Sequence, residues 1–366
     1  MHRIPKDISS LGAFMDESVV LAIENLQVSF SVRGQRLYAL RGIDLQLKKG
    51  ESLAIVGESG CGKTVLTRAC AGMLEENGRI DGGSILFEGQ DLTKLRRNRD
   101  WTKIRGSKIA MVFQDPMTSL NPIVTIGRQL MEVIRTHRGC SRKEARQQAL
   151  EMMERVGIDN PERRFDDYPF QYSGGMRQRI VIAIALCCQP QILICDEPTT
   201  ALDVTIQAQI LELIRQLQQE LGFAVIFITH DLGVVANMAD RVAVLYAGQV
   251  VELGQVEEIF YDPRHPYTWA LLSSLPQLAQ ESGQPYSLPG TPPSLMGELT
   301  GDAFAPRNPY CLRVDTLAQP PMFQVSDTHF ARTWLLDERA PKVEKPSQIR
   351  DLHEKLRRSV WNERYC

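Results

Sequence analysis

The chain has 366 residues, with 42 basic against 44 acidic side chains and a formal net charge of −2. That balance lacks the broad basic field with which a protein gathers nucleic acid, so neither DNA nor RNA is expected as a partner. The length exceeds one compact core of ordinary size and predicts a main domain with a smaller one appended.

Residues 1–18 carry no hydrophobic period and no continuous apolar segment, so a loose leader is expected there rather than a secretory signal, with Met15 as an alternative start. From Val19 the series Val20, Ala22, Glu24, Leu26, Val28 and Phe30 reads as a strand, and Leu40 to Leu47 as a second. Together they predict an antiparallel β flap. Phe30 closes the first strand where an aromatic ring could stack on adenine; Tyr38 is its rival, and a core aromatic is the alternative.

Ser52 to Val56 is a short apolar run that reads as a buried strand, and Val65 to Met73 has a helical pattern. Between them Gly57-Glu58-Ser59-Gly60-Cys61-Gly62-Lys63-Thr64 matches the phosphate-loop pattern G-x-x-x-x-G-K-[ST] in the context it requires. The glycines let backbone N–H groups converge on phosphate oxygens at a helix N-terminus. Lys63 is expected to reach the β- and γ-phosphates, and the Thr64 hydroxyl to ligate Mg²⁺.

Further on, Ile109 to Phe113 is a buried strand ending at Gln114, and residues 125–157 turn helical, with Ile126, Leu130, Val133, Ile134 and later Ala145, Ala149, Met152, Met153 and Val156 at helical spacing. An inserted helical subdomain over about 115–175 is expected. Ser173-Gly174-Gly175-Met176 then opens a helix running to Cys188, with Ser173 as N-cap: a second anion-seeking helix end. Gln191 to Cys195 is a strand that delivers Asp196 and Glu197 at its C-terminal edge. Ala201-Leu202-Asp203, a helix over 206–221, a strand over 224–229 ending in His230, and a helix and strand over 232–246 follow.

Beyond Pro263 the composition becomes Pro-rich, so residues 19–262 are read as the main domain, 263–346 as a small C-terminal domain and 347–366 as a charged tail. The longest apolar run, Ile180 to Cys188, is far short of the roughly 20 residues that cross a bilayer. Eight cysteines without a C-x-x-C pair read as free thiols of a reducing compartment.

In a parallel sheet the strand-end groups Gln114, Asp196, Glu197 and His230 gather beside the phosphate loop. Asp196 would hold Mg²⁺, Glu197 would polarise the attacking water, His230 would contact the γ-phosphate and orient Glu197, and Gln114 would touch metal or water.

These motifs, in this order over residues 20–275, resemble the nucleotide-binding subunits of ABC transporters. The resemblance implies an α/β fold with a P-loop NTPase core of ABC ATPase type, and ATP hydrolysis. It also implies head-to-tail pairing in which Ser173, Gly174 and Gly175 serve a nucleotide on the partner subunit, Asp203 lies beside it, and two membrane permeases take up the motion. Tyr172 and Met176 depart from the commonest signature without removing a phosphate contact. A narrower set, residues 173–179, 196–209, His265-Pro266-Tyr267-Thr268 and 328–341, resembles the oligopeptide and dipeptide importer subfamily. It implies a paralogous ATPase partner in a heterodimer and an extracellular peptide-binding lipoprotein reached through the permeases. Oligopeptides are the cargo it implies, with dipeptides, nickel or another small solute as the alternative cargo and a soluble ABC-type ATPase as the alternative class.

Many members of that subfamily carry an iron–sulfur cluster on four C-terminal cysteines. Here those positions hold Asp302, Asn308, Asp315 and Thr333, with Cys311 off register, so no cluster is expected. Cys61, at the N-terminal end of the phosphate-loop helix beside Lys63, is expected either as a reactive thiolate or as an inert spacer.

Overall fold

The computed structural model describes residues 17–115, 119–199, 202–274, 288–297, 299–346 and 349. The leader and the charged tail lie outside them, apart from residues 17, 18 and 349.

Among the described residues the flap has four strands rather than the two read from the sequence. β1 (Val19–Val32) and β2 (Gln35–Lys48) form a hairpin across Arg33 and Gly34, both at positive φ, the backbone a two-residue turn requires. On its other side β1 pairs with β4 (Gly78–Phe87), and β5 (Gln90–Asp91) completes the order β2-β1-β4-β5. β4 escaped sequence reading because Gly78-Arg79-Ile80-Asp81-Gly82-Gly83 buries no residue, and an apolar period starts only at Ile85. Gly83 sits at φ +83 where a Cβ would meet the Asn25 carbonyl oxygen at 2.3 Å.

The described residues form a second sheet of eight strands. Its parallel part runs through β9 (Arg241–Tyr246), β3 (Ser52–Val56), β8 (Ala224–Ile228), β7 (Ile192–Asp196) and β6 (Ile109–Val112). β3, β7 and β8 are buried at every position, which explains the apolar runs 53–56, 192–195 and 224–228 within them. Because these strands are parallel, their C-terminal ends lie along one edge.

α1 (Lys63–Cys70) follows β3, and α2 (Asn98–Thr102) is a single turn ahead of β6. The helical region contains α3 (Ile126–Arg138), α4 (Arg142–Arg155) and α5 (Pro161–Arg164). Ile126, Leu130 and Ile134 pack with Ala145, Ala149, Met152, Met153 and Val156, the residues read at helical spacing. Ser141 and Glu144 close a reciprocal capping box at the start of α4. α6 (Gly174–Leu186) begins with its glycines in the first turn rather than ahead of it, and a Cβ on Gly175 would meet Ile206 at 2.8 Å. α7 (Val204–Leu221) and α8 (Leu232–Met238) precede β8 and β9.

The sheet does not end at Tyr246. Ala247 and Gly248, both at positive φ, turn the chain into β10 (Gln249–Gln255), which pairs with the short β12 (Phe330–Ala331), and β12 in turn pairs with β11 (Phe323–Gln324) at the sheet edge. Downstream of α9 (Val256–Tyr261), Pro266 opens α10 (Pro266–Ser273), where its fixed φ suits the first helical position. Tyr267, Trp269, Leu272 and Phe304 share one core with Val56, Val244 and Tyr246. The composition shift at 263 therefore falls between two helices packed into the same core.

Candidate functional site

A cleft of about 600 Å³ opens where the C-terminal ends of the parallel strands face the flap. One side is the phosphate loop. Its glycines make room that no other residue would leave: a Cβ on Gly57 would meet the Leu245 carbonyl oxygen at 2.2 Å, and Gly62, at φ +110, caps α1. Ser59, Gly60, Gly62, Lys63 and Thr64 line the cleft. Lys63 is buried and folds back, its Nζ donating to the carbonyls of Gly57 at 2.7 Å and Glu58 at 2.9 Å.

Opposite stand the strand-end groups. Thr64 Oγ1 donates to Asp196 Oδ1 at 3.3 Å. Burial pushes the Asp196 carboxyl above its ordinary range, and the neighbouring Glu197 charge adds to the effect while the Thr64 bond opposes it. Glu197, at φ +47, turns its carboxylate between two partners. Gln114 Nε2 donates to its Oε2 at 3.1 Å, and His230 Nδ1 lies 3.3 Å from its Oε1. All of Gln114, Asp196, Glu197 and His230 line the cleft.

Phe30 lines the far end of the cleft, with its ring against Gly78. Leu37 and Ala39 of β2 line it as well, and Tyr38 does not, because side chains on a strand alternate between faces. Tyr38 instead has Arg36 over its ring. Val65, Glu75 and Leu295 complete the lining, and the last two were not read from the sequence. No local pattern marks them; Leu295 arrives from more than 200 residues away, where the Tyr38 N–H donates to its carbonyl at 2.9 Å.

Ser173, Gly174, Gly175 and Asp203 are not in this cleft. Ser173 caps α6, its Oγ accepting from the Met176 N–H at 3.4 Å, while Ser173 and Gly174 stay exposed. Asp203 caps α7 through the Ile206 N–H at 3.0 Å and is exposed too. Cys61 corrects the thiolate expectation: it is buried, and loss of water raises its thiol by more than Lys63 lowers it.

At the C-terminal positions where relatives' cysteines were expected, each side chain caps a turn. Asp302 Oδ1 accepts from the Phe304 N–H at 3.0 Å, Asn308 Oδ1 from Tyr310 at 2.9 Å and Thr333 Oγ1 from Leu335 at 3.3 Å, and Asp315 Oδ2 accepts from Leu312. Cys311 is exposed, with its thiol on the Leu312 carbonyl. A set of oxygens already engaged with backbone N–H groups does not fit an iron–sulfur cluster.

Residues 40–200 match the family model described as ABC transporter, and residues 251–313 match that of the oligopeptide/dipeptide transporter C-terminal region. The oligopeptide transport ATP-binding protein AmiE of Streptococcus pneumoniae is 62% identical over 345 residues, covering 94% of this chain and 97% of that protein. The chain belongs to the ATP-binding subunits of ABC transporters. OppD of Bacillus subtilis, also an oligopeptide transport ATP-binding protein, is 53% identical over 92% of this ABC subunit and 94% of its own length. Among solved structures, the dimeric post-hydrolysis state of the ATP-binding cassette MJ0796 bound to ADP and phosphate matches with a TM-score of 0.57 and 30% identity, over 64% of this chain and 98% of that one. The α/β fold with a P-loop core of ABC type is therefore the fold of this subunit, and it is an ATPase. Among the described residues no helix is long and apolar enough to cross a membrane.

Proposed function

We propose that this subunit is the ATP-hydrolysing motor of an oligopeptide importer, working at the cytoplasmic face of the membrane. The observation that carries hydrolysis is the Glu197 carboxylate held between Gln114 and His230 at the strand edge that faces the phosphate loop. Peptide as cargo is supported by the oligopeptide transport role of AmiE and OppD and by the matching C-terminal region.

On ATP binding, Lys63 exchanges its contacts with the Gly57 and Glu58 carbonyls for β- and γ-phosphate oxygens, and the N–H groups at the start of α1 face the same anion. Phe30 stacks on the base, with Leu37 and Ala39 beside it. Glu197 accepts a hydrogen bond from the attacking water and polarises it, His230 keeps Glu197 oriented and reaches the γ-phosphate, and Gln114 holds the other carboxylate oxygen. The Thr64 hydroxyl and Asp196 carboxylate form an oxygen pair suited to Mg²⁺, with Gln114 within the same cleft. When bound, that ion supplies charge neutralisation for the triphosphate.

Ser173, Gly174, Gly175 and Asp203, away from this chain's own cleft, serve the nucleotide of a second ATPase subunit, a paralogue in a heterodimer. Two transmembrane permeases receive the motion through the segment after Gln114 and the helical region, and an extracellular peptide-binding lipoprotein delivers cargo to them. The C-terminal turns work without an iron–sulfur cluster.

Glu197→Gln keeps the shape and removes the charge. The assembled complex carrying it should bind ATP, stay closed around it and turn over at least about a hundredfold more slowly. Phosphate release at the parental rate would remove Glu197 from this role. Loss of radiolabelled peptide uptake in a deletion strain tests the cargo.

A further inference from the structure

Glu58 is the one acidic residue within the phosphate loop, and a carboxylate there repels the triphosphate the loop is shaped to receive. It is met by a cation from 249 residues further along the chain. Arg307 approaches as a fork: Nη1 lies 2.6 Å from Glu58 Oε2 and Nη2 2.9 Å from Oε1, a bidentate geometry that lysine does not reproduce. The Arg307 side chain is only 4% exposed, against 28% for Glu58.

The guanidinium is itself fixed. Its Nε donates to the Pro289 carbonyl at 3.0 Å, Nη1 also donates to Tyr246 Oη at 3.2 Å, and the group lies over the Tyr246 ring. The loop backbone is held from the same side, because the Glu58 N–H donates to the hydroxyl of the buried Tyr267 at 2.8 Å. Tyr246, Tyr267 and Phe304 pack ring on ring around this junction. The segment carrying Arg307 also sends Leu295 into the nucleotide cleft. The appended C-terminal region thus meets the phosphate loop by charge, by hydrogen bond and by packing.

We propose that Arg307 is a positioning residue of the nucleotide site, holding the phosphate loop in its anion-binding shape through Glu58 and cancelling the negative charge that Glu58 would otherwise present to the triphosphate. The inference rests on the ATP reading above and adds a residue to it from outside the core motifs. Its chemistry is electrostatic, so removing the acid together with the base restores what removing the base alone destroys.

The test uses the full chain for ATP affinity, by displacement of a fluorescent ATP analogue, and the assembled complex for kinetics. Arg307→Gln should weaken ATP binding about tenfold, the size expected for an uncompensated charge several ångströms from the phosphates. The loss should fall on KM more than on kcat, and Arg307→Lys should be intermediate. Adding Glu58→Gln to Arg307→Gln should recover at least about threefold of the loss. Parental affinity in Arg307→Gln, or a folded double variant as weak as the single one, overturns the proposal. Should Arg307→Gln fail to fold, Glu58→Gln alone is compared with the double variant: the lone Arg307 cation should then tighten ATP several-fold, and equal affinities overturn the proposal. Lys63→Ala separates the two readings, since parental ATP affinity in that variant would defeat the nucleotide site itself rather than the part played by Arg307.

Discussion

Single residues at this site do their work through what surrounds them. Cys61 has the Lys63 cation beside it, yet burial raises its thiol by more than that charge lowers it. In the C-terminal region Asp302 goes the same way: burial, with the Asp315 charge adding to it, raises its carboxyl from 3.8 to about 6. The sign comes from linkage. A raised native value means that the native state keeps a proton which the unfolded chain has already lost, so stability falls as pH rises from about 4 to about 6, and the full penalty stands above that window. Asp302→Asn keeps the acceptor for the Phe304 N–H and removes the charge. It should stabilise the chain by about 2–3 kcal/mol at pH 7.5 and by only about 0.5 kcal/mol at pH 4. Denaturant melts at the two pH values check this; an equal effect at both would mean that Asp302 is not charged at a cost. Phe30 against Tyr38 turned on strand parity, which puts Leu37 and Ala39 in the cleft and Tyr38 outside it. Parity was readable only once the limits of β2 were known.

At the scale of elements, legibility tracked apolar pattern. β3, β7 and β8 hold uninterrupted apolar runs, so the sequence alone located them and, with them, Asp196, Glu197 and His230 at their ends. β4 carries no such run in its first half, since register there comes from pairing with β1 and from Gly83 lying against the Asn25 backbone. Leu295 and Arg307 were invisible for another reason: each is placed by contacts with residues far away in sequence. Proline gave the most misleading local signal, because Pro266 starts a buried helix just past the point where the Pro-rich composition suggested a domain boundary. That helix brings Tyr267, Trp269 and Leu272 into the core under β9. A chain shortened to residues 1–262 should therefore lose several kcal/mol of burial and either aggregate or melt far below the full chain. An unchanged circular-dichroism melt would show the main domain to be independent of the C-terminal region.

For the molecule as a whole, one cleft among the described residues gathers Gln114, Asp196, Glu197 and His230 beside the phosphate loop, while Ser173, Gly174 and Asp203 stand exposed outside it, Ser173 and Asp203 as helix caps. That separation supports the proposed pairing, in which two subunits close on each other and each contributes the cover for its neighbour's nucleotide. The near-neutral charge agrees with a partner recognised by shape and motif rather than by a broad field. The most direct measurement is ATP turnover by the assembled complex in which this chain carries both Lys63→Ala and Ser173→Arg. A two-lobed ATP clamp should lose at least about a hundredfold in rate, since one nucleotide loses its phosphate ligand and the other its cover. Turnover at the parental rate from that complex would contradict the clamp.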